Sequence, residues 1–154
     1  MARILIADDD ELIAELASEV LIDAGHACGW VTSAAAAWKC VRRKRPDILL
    51  LDQSMPGESG LTLLRRLRLS SALYDLPVIM FTAMSGEQDH IQAIYAGAQD
   101  FLSKPFNPED LVTRVNRLLR ARGSRPRHVD LKAAVVGEPQ RPAIIPEASL
   151  RSVL

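Results

Sequence analysis

Six side chains carry the chemistry this sequence suggests. Asp8, Asp9 and Asp10 stand in a row behind the apolar run Arg3–Ala7, and a lone acid, Asp52, follows the all-apolar run DILLL at residues 47–51. Thr82 follows PVIMF at residues 77–81, and Lys104 comes shortly after residues 98–102. Carboxylates gathered within a few ångströms repel one another strongly. A divalent cation relieves that repulsion. Mg²⁺ suits such a set, because it takes a few carboxylate oxygens, keeps several waters and accepts phosphate oxygens as its remaining ligands. No thiol or imidazole stands at these positions, which argues against zinc. A hydroxyl (Thr82) and a cation (Lys104) add what a transferring phosphoryl group needs, since that reaction depends on positioning and charge stabilisation. A carboxylate can itself be the nucleophile and become an aspartyl phosphate. Asp52 fits that part, with Asp8 and Asp9 as the metal pair. Asp10 is read as a helix cap.

These residues meet only if the chain folds as an alternating α/β protein. Short apolar runs at 3–7, 27–32, 47–51, 77–81 and 98–102 predict five strands. Between them lie helical patterns. Leu12, Ile13, Leu16, Val20 and Leu21 recur with helical period before Gly25. An alanine-rich helix spans residues 33–45 and is ended by Pro46; two more cover 61–69 and 86–96. The last helix has Asn107 as cap, Pro108 in first place, Glu109 and Asp110 in its first turn, and an apolar stripe of Leu111, Val112, Val115, Leu118 and Leu119. Five βα units in succession mean a parallel sheet with helices on both faces. In such sheets ligands sit beyond the carboxyl ends of the strands, where all six residues fall.

The bulk properties narrow the function classes. The chain has 154 residues, 48% apolar and 25% charged, with 19 basic and 19 acidic side chains. A formal charge of zero gives no general reason to expect nucleic-acid binding. The basic run Arg42–Arg45 is read as a solvated helix end. Cys28 and Cys40 lack metal-ligand or CxxC spacing and read as free thiols in a reducing compartment. No apolar run approaches the roughly 20 residues that span a bilayer. A cytoplasmic protein without an anchor or signal peptide is expected. Residues 1–122 are expected to form the domain, and the proline-containing stretch 123–154 a mostly flexible tail.

The pieces ILIADDD (4–10), LLLDQSMPGESG (49–60), VIMFTA (78–83) and GAQDFLSKPF (97–106) together resemble the receiver domain of two-component response regulators. The resemblance covers about residues 2–122, and the DxxMPxxxG spacing from Asp52 through Met55, Pro56 and Gly60 is its most specific part. It implies a doubly wound, flavodoxin-like sheet of order 2-1-3-4-5. It implies that Asp52 accepts a phosphoryl group from a sensor histidine kinase or histidine phosphotransfer protein, with Mg²⁺ as cofactor. Asp9 would hold the ion directly and Asp8 largely through water, with Asp52 and the backbone carbonyl of Ser54 completing the set. Lys104 would bind the phosphoryl group and pair with Asp52 in its absence. Thr82 would swing in to the phosphoryl oxygens, and a cis bond is expected before Pro105. Phe101 occupies the place of the family's rotating aromatic, although a phenylalanine in a short strand is equally read as core. Ala83 is small, as entry of a phosphodonor requires. Ser54 and Met84 stand at positions that tune phosphoryl lifetime; Met84 cannot orient an attacking water, so slow self-dephosphorylation is expected.

In the family the responding face is the fourth helix, fifth strand and fifth helix. Here it carries His90, Ile91, Ile94, Tyr95, Asp100, Asp110 and Arg114. Asp100, Asp110 and Arg114 resemble part of a charged dimer seam, yet His90 and Tyr95 depart from it, so a monomer or weak phosphorylation-dependent dimer is expected. The favoured reading is a single-domain response regulator that is not an enzyme in the ordinary sense. A receiver from a longer regulator is the first alternative. An aspartyl-phosphate enzyme like the haloacid dehalogenases is a weaker one, because that family wants a second Asp where Ser54 stands. An FMN-binding flavodoxin is weaker still, because three acids occupy the place of its phosphate-binding loop.

Overall fold

A computed structural model describes residues 1–83 and 87–124. Five strands, β1 (Arg3–Ala7), β2 (Ala27–Val31), β3 (Ile48–Asp52), β4 (Val78–Thr82) and β5 (Asp100–Ser103), form one parallel sheet of order β2-β1-β3-β4-β5. Helices α1 (Glu11–Asp23), α2 (Ala34–Arg43), α3 (Gly60–Leu69), α4 (Glu87–Ala96) and α5 (Pro108–Ser124) alternate with them. The doubly wound α/β class expected from the sequence is what the structure has.

The sheet separates two cores. On one side Ala14, Ala17 and Leu21 of α1 and Leu111 and Val115 of α5 cover Ile4, Ile6, Ile48, Leu50, Ile79 and Phe81. On the other, Ala34, Ala37 and Val41 of α2 and Leu63, Leu64 and Leu67 of α3 cover Leu49, Leu51, Val78 and Met80. Every residue of β3 and β4 is buried. A strand covered on both faces has no reason to alternate, which is why these two segments read as continuous apolar runs. Each such Leu or Ile contributes about 1.5–3 kcal/mol on burial.

β1 has the expected bounds, the other elements shift by a residue or more at one end or both, and one shift bears on function. Asp52 and Thr82 are the last residues of β3 and β4, inside the ladder rather than after it; β5 begins at Asp100 and reaches Ser103. α2 ends at Arg43, with Lys44 as its C-cap. α5 runs to Ser124, so the helix passes the expected boundary at 122, and most of the expected tail lies outside the described residues. The residues whose period marks α1 are mostly not the ones it buries. Ala14, Ala17, Ser18 and Leu21 are buried, whereas Leu12 and Leu16 are 63% and 44% exposed. The small residues set how closely α1 approaches the sheet, and period alone does not distinguish them from neighbouring leucines.

Candidate functional site

Three loop–helix junctions deliver the polar groups. Asp8 leaves β1 fully buried; its N–H donates to the Val31 carbonyl at 3.1 Å, and its Oδ1 accepts the Asp10 N–H at 2.9 Å. Asp10 caps α1, accepting the N–H groups of Leu12 and Ile13 at 3.1 and 3.4 Å, as its position suggested. Asp9, between them, is exposed. Asp52 is buried at the end of β3, and its Oδ1 accepts the N–H of the exposed Ser54 at 3.3 Å.

Gly60 explains part of the DxxMPxxxG spacing. Its N–H donates to the Gln53 carbonyl at 2.9 Å, drawing the start of α3 onto the end of β3. A Cβ at residue 60 would collide with the carbonyl oxygen of Asp52 and lie 2.9 Å from its carbonyl carbon. Only glycine allows this approach, which anchors the loop beside the acid cluster.

Lys104 follows β5, with its N–H donated to the Thr82 carbonyl at 2.8 Å and a cis peptide to Pro105. Its Nζ lies 2.7 Å from Asp8 Oδ2, 3.4 Å from Asp52 Oδ1 and 5.3 Å from the centre of the Phe81 ring. The ammonium is therefore shared by two buried carboxylates and sits closer to Asp8. Oxygens of Asp8, Asp9 and Asp52 all lie within 4.8 Å of one another. One ammonium does not neutralise three acids. Burial first, and then the charge of Asp8, push the Asp52 carboxyl up to about 7, against the pull of Lys104 and the Ser54 N–H; a hydrogen bond with the Asp9 side chain also raises it. For Lys104, burial opposes its charge, but Asp8 and Asp52 outweigh it and hold the ammonium above its usual range.

The all-oxygen donor set, two of its three acids buried and one open to solvent, fits a hard divalent cation that keeps some of its waters. Thr82 is buried at the end of β4, and Ala83 beside it is exposed. Phe101 is half-buried against the core on the α2–α4 side. Met84 and the His90 side chain lie outside the described residues.

On the expected partner face, Ile91, Ile94 and Tyr95 are exposed at 41%, 50% and 88%. Asp100 and Asp110 are joined by Arg114, at 2.6 and 3.0 Å, within this chain. Sequence reasoning missed several polar anchors. His26 bridges the start of β1 and α5, accepting the Ala2 N–H at 3.2 Å through Nδ1 and meeting Asn116 Oδ1 at 3.1 Å through Nε2. Arg68 donates to the carbonyls of Gly97, Tyr74 and Leu76 and to Gln99 Oε1, at 2.8–3.0 Å. Gln53, directly after Asp52, is buried. The bonds of His26 and those of Arg68 to Gly97 and Gln99 reach across long stretches of chain, where local pattern carries no signal. Among the described residues no helix is long and apolar enough to cross a membrane.

A family model described as the response regulator receiver domain matches residues 4–116. The chain is 39% identical over 120 residues to the phosphate regulon transcriptional regulatory protein PhoB of Pseudomonas aeruginosa, covering 78% of this chain and 52% of that protein. It is also 39% identical over 120 residues to the DNA-binding dual master transcriptional regulator RpaA of Synechocystis, covering 78% and 50%. The chain thus spans about half the length of the curated relatives it matches. Among solved structures, a putative response regulator from Chloroflexus aurantiacus aligns with TM-score 0.75 and 37% identity over 77% of this chain and 98% of that one. The chemotaxis response regulator CheY4 of Vibrio cholerae aligns with TM-score 0.72 and 29% identity over 77% and 98%.

Proposed function

Since the chain belongs to the response regulator receiver family, we propose that it is a phosphorylation switch in which Asp52 takes a phosphoryl group from a histidine kinase or histidine phosphotransfer protein. The observation that carries this reading is the gathering of the Asp8, Asp9 and Asp52 carboxylates within 4.8 Å, with Lys104 between Asp8 and Asp52. A carboxylate oxygen of Asp52 attacks the donor phosphorus; the new P–O bond forms as the P–N bond to the donor imidazole breaks, and that imidazole leaves with its electron pair. Asp8, Asp9, Asp52 and the Ser54 carbonyl are the residues that would hold Mg²⁺, whose charge would offset that of the carboxylates and the incoming oxygens. Lys104 supplies a second positive charge to those oxygens, and the Thr82 hydroxyl a hydrogen bond. Ala83 leaves room for the donor.

The chain assists its own phosphorylation and loss of phosphate and is not an enzyme with a separate substrate. Its readout is a protein-binding surface around His90, Ile91, Ile94 and Tyr95 with Asp100, Asp110 and Arg114, which Thr82 and Phe101 link to the site. We place it in the cytoplasm. A second reading, a receiver serving a longer regulator, is supported by relatives of about twice its aligned length that are named as transcriptional or DNA-binding regulators. Phosphotransfer followed by borohydride reduction and peptide mapping tests the main reading. Modification confined to residue 52 is expected, and modification elsewhere would contradict it.

A further inference from the structure

Gln53 lies directly after Asp52, the proposed phosphoryl acceptor. The residue is 8% exposed, and its Oε1 is buried with no hydrogen-bond partner. A buried amide oxygen left in that state is costly, and native folds rarely tolerate it without a reason. The sheet register says what the amide faces. Asp52 pairs with Phe81, and the Gln53 N–H continues the ladder by donating to the Phe81 carbonyl at 3.4 Å. Residue 53 therefore stands opposite Thr82. Alternate residues of a strand share a face. Gln53 falls in step with Leu49 and Leu51, and Thr82 with Val78 and Met80, all four of which lie in the core on the α2–α4 side. Parallel strands run about 4.8 Å apart. A glutamine side chain is long enough to span that gap.

We propose that Gln53 is a positioning residue for Thr82. Its carboxamide donates an N–H to Thr82 Oγ1 when a phosphoryl oxygen stands beside Asp52, which directs the hydroxyl hydrogen to that oxygen. The inference rests on the reading of Asp52 and Thr82 given above. A threonine hydroxyl has one hydrogen and two lone pairs. A donor fixed against a lone pair restricts where the hydrogen can point. A half-turn of the terminal amide exchanges Nε2 with Oε1, bringing the donor to the buried place and Oε1 to the outer one without backbone movement. The unpaired oxygen burdens only the state in which the amide is idle, so Gln53 also biases the equilibrium toward the phosphorylated arrangement.

Beryllofluoride, a phosphoryl mimic, titrated with Mg²⁺ against the full chain tests this. The half-saturating concentration is read from the shift in melting temperature for wild type, Gln53→Met, Thr82→Ala and the double variant. Gln53→Met is expected to raise it about fivefold to tenfold in the wild-type background and less than about twofold in the Thr82→Ala background. The metal-free melting temperature of Gln53→Met should not fall, because the substitution removes an unpaired polar atom. Gln53→Leu, different in shape, should repeat the pattern and serves if the Met variant folds poorly. Unchanged affinity in both backgrounds, or equal weakening in both, overturns the inference. A wild-type chain that takes up no beryllofluoride with Mg²⁺ overturns the reading of the site itself, which is a separate result.

Discussion

Replacing Asp52 with Asn probes the electrostatic strain of the metal-free site. In the folded chain burial and Asp8 raise the Asp52 carboxyl to about 7. In the unfolded chain it titrates near 3.8. The folded state thus keeps a proton that the unfolded state has released, and stability must fall as pH rises from about 4 to about 7. A shift of that size sets a ceiling of about 4 kcal/mol. Coupling to Lys104 and water around Asp9 reduce it to roughly 2 kcal/mol. For the compact unit of 120 residues that is about 8 °C in melting temperature. Asp52→Asn keeps the shape and removes the charge, so without metal it should melt several degrees above wild type at about pH 8 and close to wild type at about pH 4. Excess Mg²⁺ at 100 times its Kd should raise wild type by about 2.7 kcal/mol and the variant by much less. Scanning calorimetry at both pH values, with and without Mg²⁺, measures this. A variant that melts at or below wild type at about pH 8, or gains as much from Mg²⁺, would refute the reasoning.

Lys104→Met should lower metal-free stability at neutral pH by roughly 2–3 kcal/mol in urea melts, because two buried carboxylates lose their shared cation. Asp52, freed of the pull of Lys104, then holds its proton more tightly in the folded state, so the loss should shrink as the solution is acidified, and a pH-independent loss would count against the mechanism. His26→Ala removes the bridge from Ala2 to Asn116 and should cost about 1–2 kcal/mol in thermal melts while leaving phosphoryl uptake unchanged. Burial pushes the Cys28 thiol up to about 11, against a hydrogen bond with Ser18, so maleimide should modify it about 100-fold more slowly than an ordinary thiol near neutral pH. Peptide mapping after brief labelling measures this, and a fast-reacting Cys28 would refute it.

The parallel sheet was legible because β3 and β4 are covered on both faces, which leaves unbroken apolar runs ending at the acid and the threonine. The gathering of Asp8, Asp9, Asp52 and Lys104 followed from strand order and from the rule that such sheets bind at their carboxyl ends. What was hidden depends on packing across the chain. Leu12 and Leu16 have the period of a buried stripe, but the alanines beside them are what the sheet accepts. The sequence offers Asp100, Asp110 and Arg114 as charges of one face but does not show that Arg114 joins both acids within the chain. Gln53 looks like a polar residue opening a turn, and only the β3–β4 register sets it opposite Thr82.

The central claim is that Asp52 accepts a phosphoryl group with the help of a divalent cation. Intact-protein mass after incubation with acetyl phosphate, with and without Mg²⁺, in wild type and Asp52→Ala, tests it most directly. The account predicts a gain of one phosphoryl group that is stable to acid, labile to base, dependent on Mg²⁺ and absent from Asp52→Ala. No gain in wild type, or the same gain in Asp52→Ala, would contradict it.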